Sequence, residues 1–266
     1  EQGSRFGCLA YDLRDEASLT VFACPYDYCF AEPCLLRFRE WLKGEYGSLK
    51  RLKAEWDADF KNWGEVMPLP FDEMRKRAWK NHPRVSFAPW ADHRTFMDKV
   101  WADTIAALAA EIRKGDPKAL VGISGTQMPS CYGGFDFARL MKVCTWVEHY
   151  DICGSHRLIE SFRQPGTETV AALSAMDVRR DLRRLWGNIL RGDSGCIIWP
   201  YDAKMRNVIL DLKSESLQPT DKGKRMAEIL WSLRRGHVKY LKTFNRCFNP
   251  VVILESQPSL QVDWAY

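Results

Sequence analysis

The chain has 266 residues, 46% of them hydrophobic, with 39 basic and 34 acidic side chains. That suffices for one large domain or two small ones, and a surplus of +5 spread evenly along the chain excludes nucleic acid as the main partner. No apolar run reaches the ~18 residues of a membrane span. Nine cysteines, an odd number, argue against a disulfide framework and favour a reducing compartment.

In chain order, residues 7–13 are apolar and β-leaning and stop at Asp15-Glu16, so they read as a buried strand delivering two carboxylates at its end. Cys24, Cys29 and Cys34 follow without a CxxC pair, which favours ordinary loop and helix-start cysteines over zinc ligands. The first helix is predicted over 33–43, with Pro33 in its first turn, Gly44 at its end and Leu35, Phe38, Trp41 and Leu42 as its apolar stripe. Ser48 caps a second short helix carrying Leu49, Leu52 and Trp56, and an irregular Pro-rich stretch runs on to about residue 89.

A long amphipathic helix is predicted over 92–114 and ends at Gly115-Asp116-Pro117. Strand 119–124, helix 135–147, strand-like 148–153, a short helix 157–163, strand 168–173, helix 178–190, strand 195–199 and a final helix 221–241 come next. Such alternation is the pattern of a parallel sheet with crossover helices. Neither a P-loop nor a G-x-G-x-x-G is present, and the histidines His82, His93, His149, His156 and His237 form no H-x-H or H-E-x-x-H, which leaves a metal-dependent hydrolase poorly supported. A (β/α)8 barrel fits better than an open sheet, because polar or aromatic residues mark successive strand ends: Asp15-Glu16, Ser124 to Thr126, Ser155-His156 and Trp199 to Tyr201.

A carboxylate pair at a strand end has a plain reading, a cap or an ion pair with a neighbour such as Arg14, and a chemical one. Glycoside hydrolysis needs one carboxylic acid to protonate the leaving oxygen and a second carboxylate opposite it.

The runs Tyr11-Asp-Leu-Arg-Asp-Glu16, Phe38-Arg-Glu-Trp-Leu-Lys43, Tyr46-Gly-Ser-Leu49, Leu52-Lys-Ala-Glu-Trp56, Phe60 and Trp63-Gly-Glu-Val66 resemble, in order and spacing, the segment after the fourth strand in β-galactosidases of glycoside hydrolase family 42. The resemblance implies a retaining glycosidase acting on a β-linked, galactoside-like sugar by double displacement, with Glu16 as acid/base and no cofactor. Asp15 stands where the family usually has Asn at the substrate 2-hydroxyl; its like charge favours a protonated Glu16.

For the nucleophile, which the family places at the end of strand seven, Glu160 comes first, with Glu168 and Asp177 as alternatives. If none serves, the chain is a catalytically impaired carbohydrate-binding barrel. Trp199, with Tyr201, is expected to floor the sugar subsite, and Tyr150, His156 and Tyr132 to wall it. Trp41, Trp56, Trp101 and Trp186 fall on helical stripes and are expected in the core. The resemblance also implies a homo-oligomer, a trimer in this family.

Counted from Asp15-Glu16 as strand four, the chain supplies strands four to eight of an incomplete TIM barrel. Residues 1–246 are then the C-terminal part of the catalytic barrel, and 247–266 begin a following α/β domain with its first strand at 251–254. The chain is on this count an internal fragment.

Overall fold

The computed structural model describes residues 9–81, 83–174, 177–212, 217–241, 243 and 251–266. Gly7 and Cys8 of the predicted first strand, and His82, lie outside them.

The sheet is five-stranded and wholly parallel: β1 (Tyr11–Asp15), β2 (Val121–Thr126), β3 (Trp146–His149), β4 (Glu168–Leu173) and β5 (Gly195–Ile198), each beside its predecessor. The α/β class and the parallel sheet are as the alternation predicts. Because every strand runs the same way, all C-terminal ends meet along one edge.

The helices are α1 (Glu32–Tyr46), α2 (Leu49–Trp56), α3 (Phe71–Asn81), α4 (Ala88–Gly115), α5 (Phe137–Leu140), α6 (Ser155–Phe162), α7 (Val178–Arg191), α8 (Asp221–Ser232), α9 (Val238–Leu241) and α10 (Gln257–Ala265). Ser48 caps α2 as predicted, its Oγ accepting from Arg51 N–H. α1 outruns its predicted stop: Gly44 lies inside the helix, and Gly47, at φ 68°, provides the left-handed cap.

Four further predictions are corrected. The stretch expected to be irregular contains α3, which buries Met74 and Ala78. The helix predicted over 135–147 shrinks to the single turn α5 before β3 begins. The final helix breaks at Leu233–His237, a wider π-type turn containing Gly236. Residues 251–254, expected as a strand, form none and are exposed; Ser256 instead caps α10.

Two of the apolar clusters hold the layers that place the site. Leu13, Ile123 and Val147 pack from one face of the sheet against Phe135, Phe137, Leu140 and Ile159. Away from the sheet, Phe38, Leu42, Leu52, Trp56, Phe96 and Met97 join α1, α2 and α4, and Asp92 Oδ2 accepts from Tyr46 Oη at 2.6 Å and Trp56 Nε1 at 2.7 Å. Trp56 is fully buried and Trp41, Trp101 and Trp186 partly so, in keeping with their stripes.

α10 docks back on α4. Its Gln257 and Gln261 each donate to Asp98 Oδ2 at 3.0 Å, and Trp90 Nε1 donates to the Gln261 carbonyl. Burial pushes the Asp98 carboxyl up to about 8, so it stays neutral in mildly acidic water.

Candidate active site

Alternation along a strand puts successive side chains on opposite faces. Since Leu13, Ile123 and Val147 face the helices, Asp12, Ser124 and Glu148 project from the other face. Ser124 joins two of the strands there: its N–H and Oγ reach Asp12 at 3.0 and 2.6 Å, and the same Oγ lies 3.2 Å from Asp15 Oδ1. Glu148 accepts from Gly125 N–H.

Glu16 is the first residue past β1. Its N–H donates to Ser124 O at 3.1 Å and its backbone turns left-handed, φ 49°. Tyr150, just past β3, donates its phenol to Glu16 Oε1 at 2.8 Å. Burial, that hydrogen bond and the negative charges of Asp15, Glu16 and Glu148 push the Tyr150 phenol far above its ordinary range, so it remains a donor at any working pH.

Gly125 is the wedge between these carboxylates. A Cβ on it would meet Asp15 Oδ1 and Glu16 Cγ at 2.7 Å and Glu16 N at 2.8 Å, and its φ of 63° disfavours any other residue. Glu148 on one side and Asp15 and Glu16 on the other are thus held together through one glycine.

Burial, then the charges of Asp15, Asp12 and Glu16, push the Glu148 carboxyl up to about 7, against the opposing Gly125 hydrogen bond. The raised value means that Glu148 contributes stability in full below pH 4.5, its ordinary value, and loses it as pH rises through about 7. Glu148→Gln is expected to remove this dependence, so that urea titrations of wild type and variant diverge by roughly 2–3 kcal/mol between those pH values. Parallel stability curves would show that Glu148 is not a buried acid.

Beyond β5, Trp199 is 54% exposed and stands edge-on to Tyr201, ring centroids 5.3 Å apart. Its backbone N–H donates to Leu173 O at 2.8 Å, which fixes it at the same strand-end edge as Glu16 and Tyr150.

Other expected site residues fall elsewhere. His156 is wholly buried in the first turn of α6, bonded to Asp193, and cannot wall an open cleft. Tyr132 is buried edge-on against Trp90 and also belongs to the core. Glu160 lies in the second turn of α6, off any strand end. Glu168 opens β4 at the opposite edge of the sheet and accepts from Ser194 Oγ. Asp177 alone of the three lies past the C-terminal end of β4, where it caps α7: its Oδ1 accepts from the N–H groups of Arg179 and Arg180, which hold the carboxyl below its usual range.

Glu148 was missed because the predicted strand ran over 148–153. Two residues of slip made it a strand start instead of a side chain near the strand's end. Cys24, Cys29 and Cys34 join no metal-ligand group among the described residues; His149, His156 and Asp193 do. No helix among the described residues is long and apolar enough to cross a membrane.

A family profile described as beta-galactosidase, that of glycoside hydrolase family 42, matches residues 18–188, beginning just after Glu16. The beta-galactosidase BgaB of Geobacillus sp. is 35% identical over 141 residues, 49% of this chain and 19% of that protein. BgaA of Planococcus sp. is 27% identical over 128 residues, 45% of this chain and 18% of that protein. The chain therefore spans under a fifth of the length of these curated relatives. Among solved structures, the beta-galactosidase from Rahnella sp. R3 superimposes with a TM-score of 0.64 at 15% identity, over 90% of this chain and 38% of that one, which establishes a shared fold.

Proposed function

The chain belongs to glycoside hydrolase family 42, the beta-galactosidase family matched over residues 18–188, and from that premise we propose that its site hydrolyses a β-linked, galactoside-like glycoside with retention. On this reading β1 to β5 are strands four to eight of a TIM barrel, and the strand-end edge holding Glu16 is its catalytic face. The observation that carries the reading is the Tyr150 phenol on Glu16 Oε1 beside Gly125. It orients the carboxyl and leaves Oε2 free of that hydrogen bond.

In the first step a carboxylate attacks the anomeric carbon while Glu16 gives its proton to the departing oxygen, forming a covalent glycosyl ester. In the second, Glu16, now a base, takes a proton from water as the water displaces the ester. Asp177 is the carboxylate we assign to the attack, being past the end of β4 and held ionised by two backbone N–H groups. Asp15 accepts a hydrogen bond from the sugar 2-hydroxyl, and Trp199 with Tyr201 floors the subsite.

A second reading is a carbohydrate-binding site that has lost its nucleophile. It is favoured by the commitment of Asp177 Oδ1 to capping α7. Incubation with a 2-deoxy-2-fluoro-β-galactosyl donor followed by peptide mapping separates the two. An adduct on Asp177 supports the double displacement as assigned, one on Glu148 or Glu160 moves the nucleophile, and sugar binding with no adduct and no hydrolysis supports the second reading.

Removing the aromatic floor tests the subsite. Trp199→Ala is expected to raise KM roughly 3- to 10-fold with little change in kcat, the loss of about 1 kcal/mol of ring stacking shared by ground and transition states. Unchanged KM would place the sugar elsewhere.

A further inference from the structure

On the helix-facing side of β3 to β5, opposite the carboxylates, three buried side chains from separate segments converge. His149 closes β3, His156 lies in the first turn of α6, and Asp193 sits between α7 and β5. His149 Nε2 is 2.9 Å from Asp193 Oδ2, and His156 Nε2 is 3.0 Å from Asp193 Oδ1. The two imidazoles stack at 4.2 Å, with planes 16° apart, so both direct the same ring edge at one carboxylate.

The trio holds a carboxylate in a fully enclosed place. No lysine or arginine forms an ion pair with Asp193 among the described residues: Arg163 bonds Thr169 Oγ1 and Gly192 O, and Thr169 Oγ1 in turn donates to Asp193 Oδ1 at 2.8 Å. A second enclosed carboxylate, Asp181, has neither oxygen hydrogen-bonded among the described residues, and its charge and that of Asp193 both bear on Cys196. His149 Nδ1, His156 Nδ1, Ser155 Oγ and Asn188 Nδ2 are likewise buried without partners. Enclosed carboxylates whose partners among the described residues are two imidazoles and a hydroxyl, for Asp193, or none, for Asp181, call for a cation, because a buried charge costs several kcal/mol unless paired.

We infer that His149, His156 and Asp193 bind a divalent transition-metal ion of the zinc class, with Asp193 contributing both oxygens. Imidazole nitrogens and carboxylate oxygen suit such an ion, and all three residues offer ligand atoms within 4.8 Å of one another. Bonds of about 2.0–2.1 Å set nitrogen and oxygen donors roughly 3.3 Å apart at a tetrahedral angle, so the observed 2.9 and 3.0 Å widen by a few tenths while the two stacked rings splay to bring both Nε2 lone pairs onto the ion. The ion would tie β3, α6 and the approach to β5 together from behind the sheet. It takes no part in hydrolysis, so the site stands or falls apart from the glycosidase reading.

The test is metal analysis of the purified protein after stripping with a chelator and reloading with zinc, alongside His149→Ala and Asp193→Asn. About one equivalent per chain is expected in the wild type, with affinity in either variant reduced by at least the 10–100-fold that loss of a mere outer partner costs. Cobalt(II) in the wild type alone guards against variants that fail to fold. Ligand-field bands of a nitrogen and oxygen site without thiolate-to-cobalt charge transfer support the assignment. Undiminished zinc in both variants, a thiolate band, which would move the ion to cysteines, or no binding at all would overturn it.

Discussion

Glu16→Gln is expected to lower kcat/KM on an aryl β-galactoside by on the order of 10²–10⁴-fold, the usual worth of a positioned general acid. The amide keeps the Tyr150 contact on Oε1 but has no proton to give to the leaving oxygen. The deficit should grow as the leaving group becomes more basic and nearly vanish for a dinitrophenol. In Glu16→Ala, azide should restore turnover by replacing water in the second step, where no base is then needed. Wild-type activity in Glu16→Gln would remove Glu16 from the mechanism. Loss of activity without the leaving-group trend would leave it a merely structural residue.

Gly122→Ala should be the more damaging change to the fold. Gly122 pairs in register with Trp146 of β3, and a Cβ there would stand 1.6 Å from the Trp146 carbonyl oxygen and 2.7 Å from its carbon. Both are backbone atoms, so relief requires β2 and β3 to separate in the middle of the sheet. Such a rupture belongs with substitutions that cost more than about 4–5 kcal/mol, against a total stability of about 5–15 kcal/mol. The expected result is insoluble protein, or a urea midpoint too low to measure. Gly187→Ala is the internal control: it lies within α7 with nothing within 4 Å of the added methyl, and should stabilise by about 0.5–1 kcal/mol. A soluble Gly122→Ala with the wild-type midpoint would refute the register of β2 on β3.

Period and punctuation made much of this architecture readable. The span of β4 is as predicted, and Ser48 as the cap of α2 needed only local chemistry. α3 hid because its run is crowded with charges and flanked by prolines; only tertiary contact with Trp90 and its neighbours gives Met74 something to bury against. Residues 135–147 misled in the opposite sense, since an apolar stretch of that length fits a helix as well as a turn leading into a buried strand. At the site, the strand-end position of Glu16 followed from where the apolar run of β1 stops. Tyr150 and the strand end at Ser124 to Thr126 were also expected there, but Glu148 and the hydrogen bonds that join these residues to Glu16 were not, because they span more than a hundred residues and no spacing in the chain records that approach. His156 shows the limit from the other side: a histidine just past a strand reads as a rim residue, and only the presence of Asp193, far along the chain, turns it inward.

The neighbour-by-neighbour order of the sheet also bears on when the site comes into being. Gly122 pairs with Trp146, Trp146 with Glu168 and Val170 with Gly195, all over short separations, whereas Tyr11 must find Val121. Contacts between near segments form quickly, while closing a long loop pays its entropy before any reward. Among the described strands, β2 to β5 are therefore expected to pair before β1 joins them with Glu16. Tyr150, Gly125 and Glu148 are then expected to be in place before the Glu16 carboxyl reaches them. Pulse-labelled amide exchange should show protection in β3 and β4 before Glu16 N–H, which is bonded to Ser124 O, becomes protected.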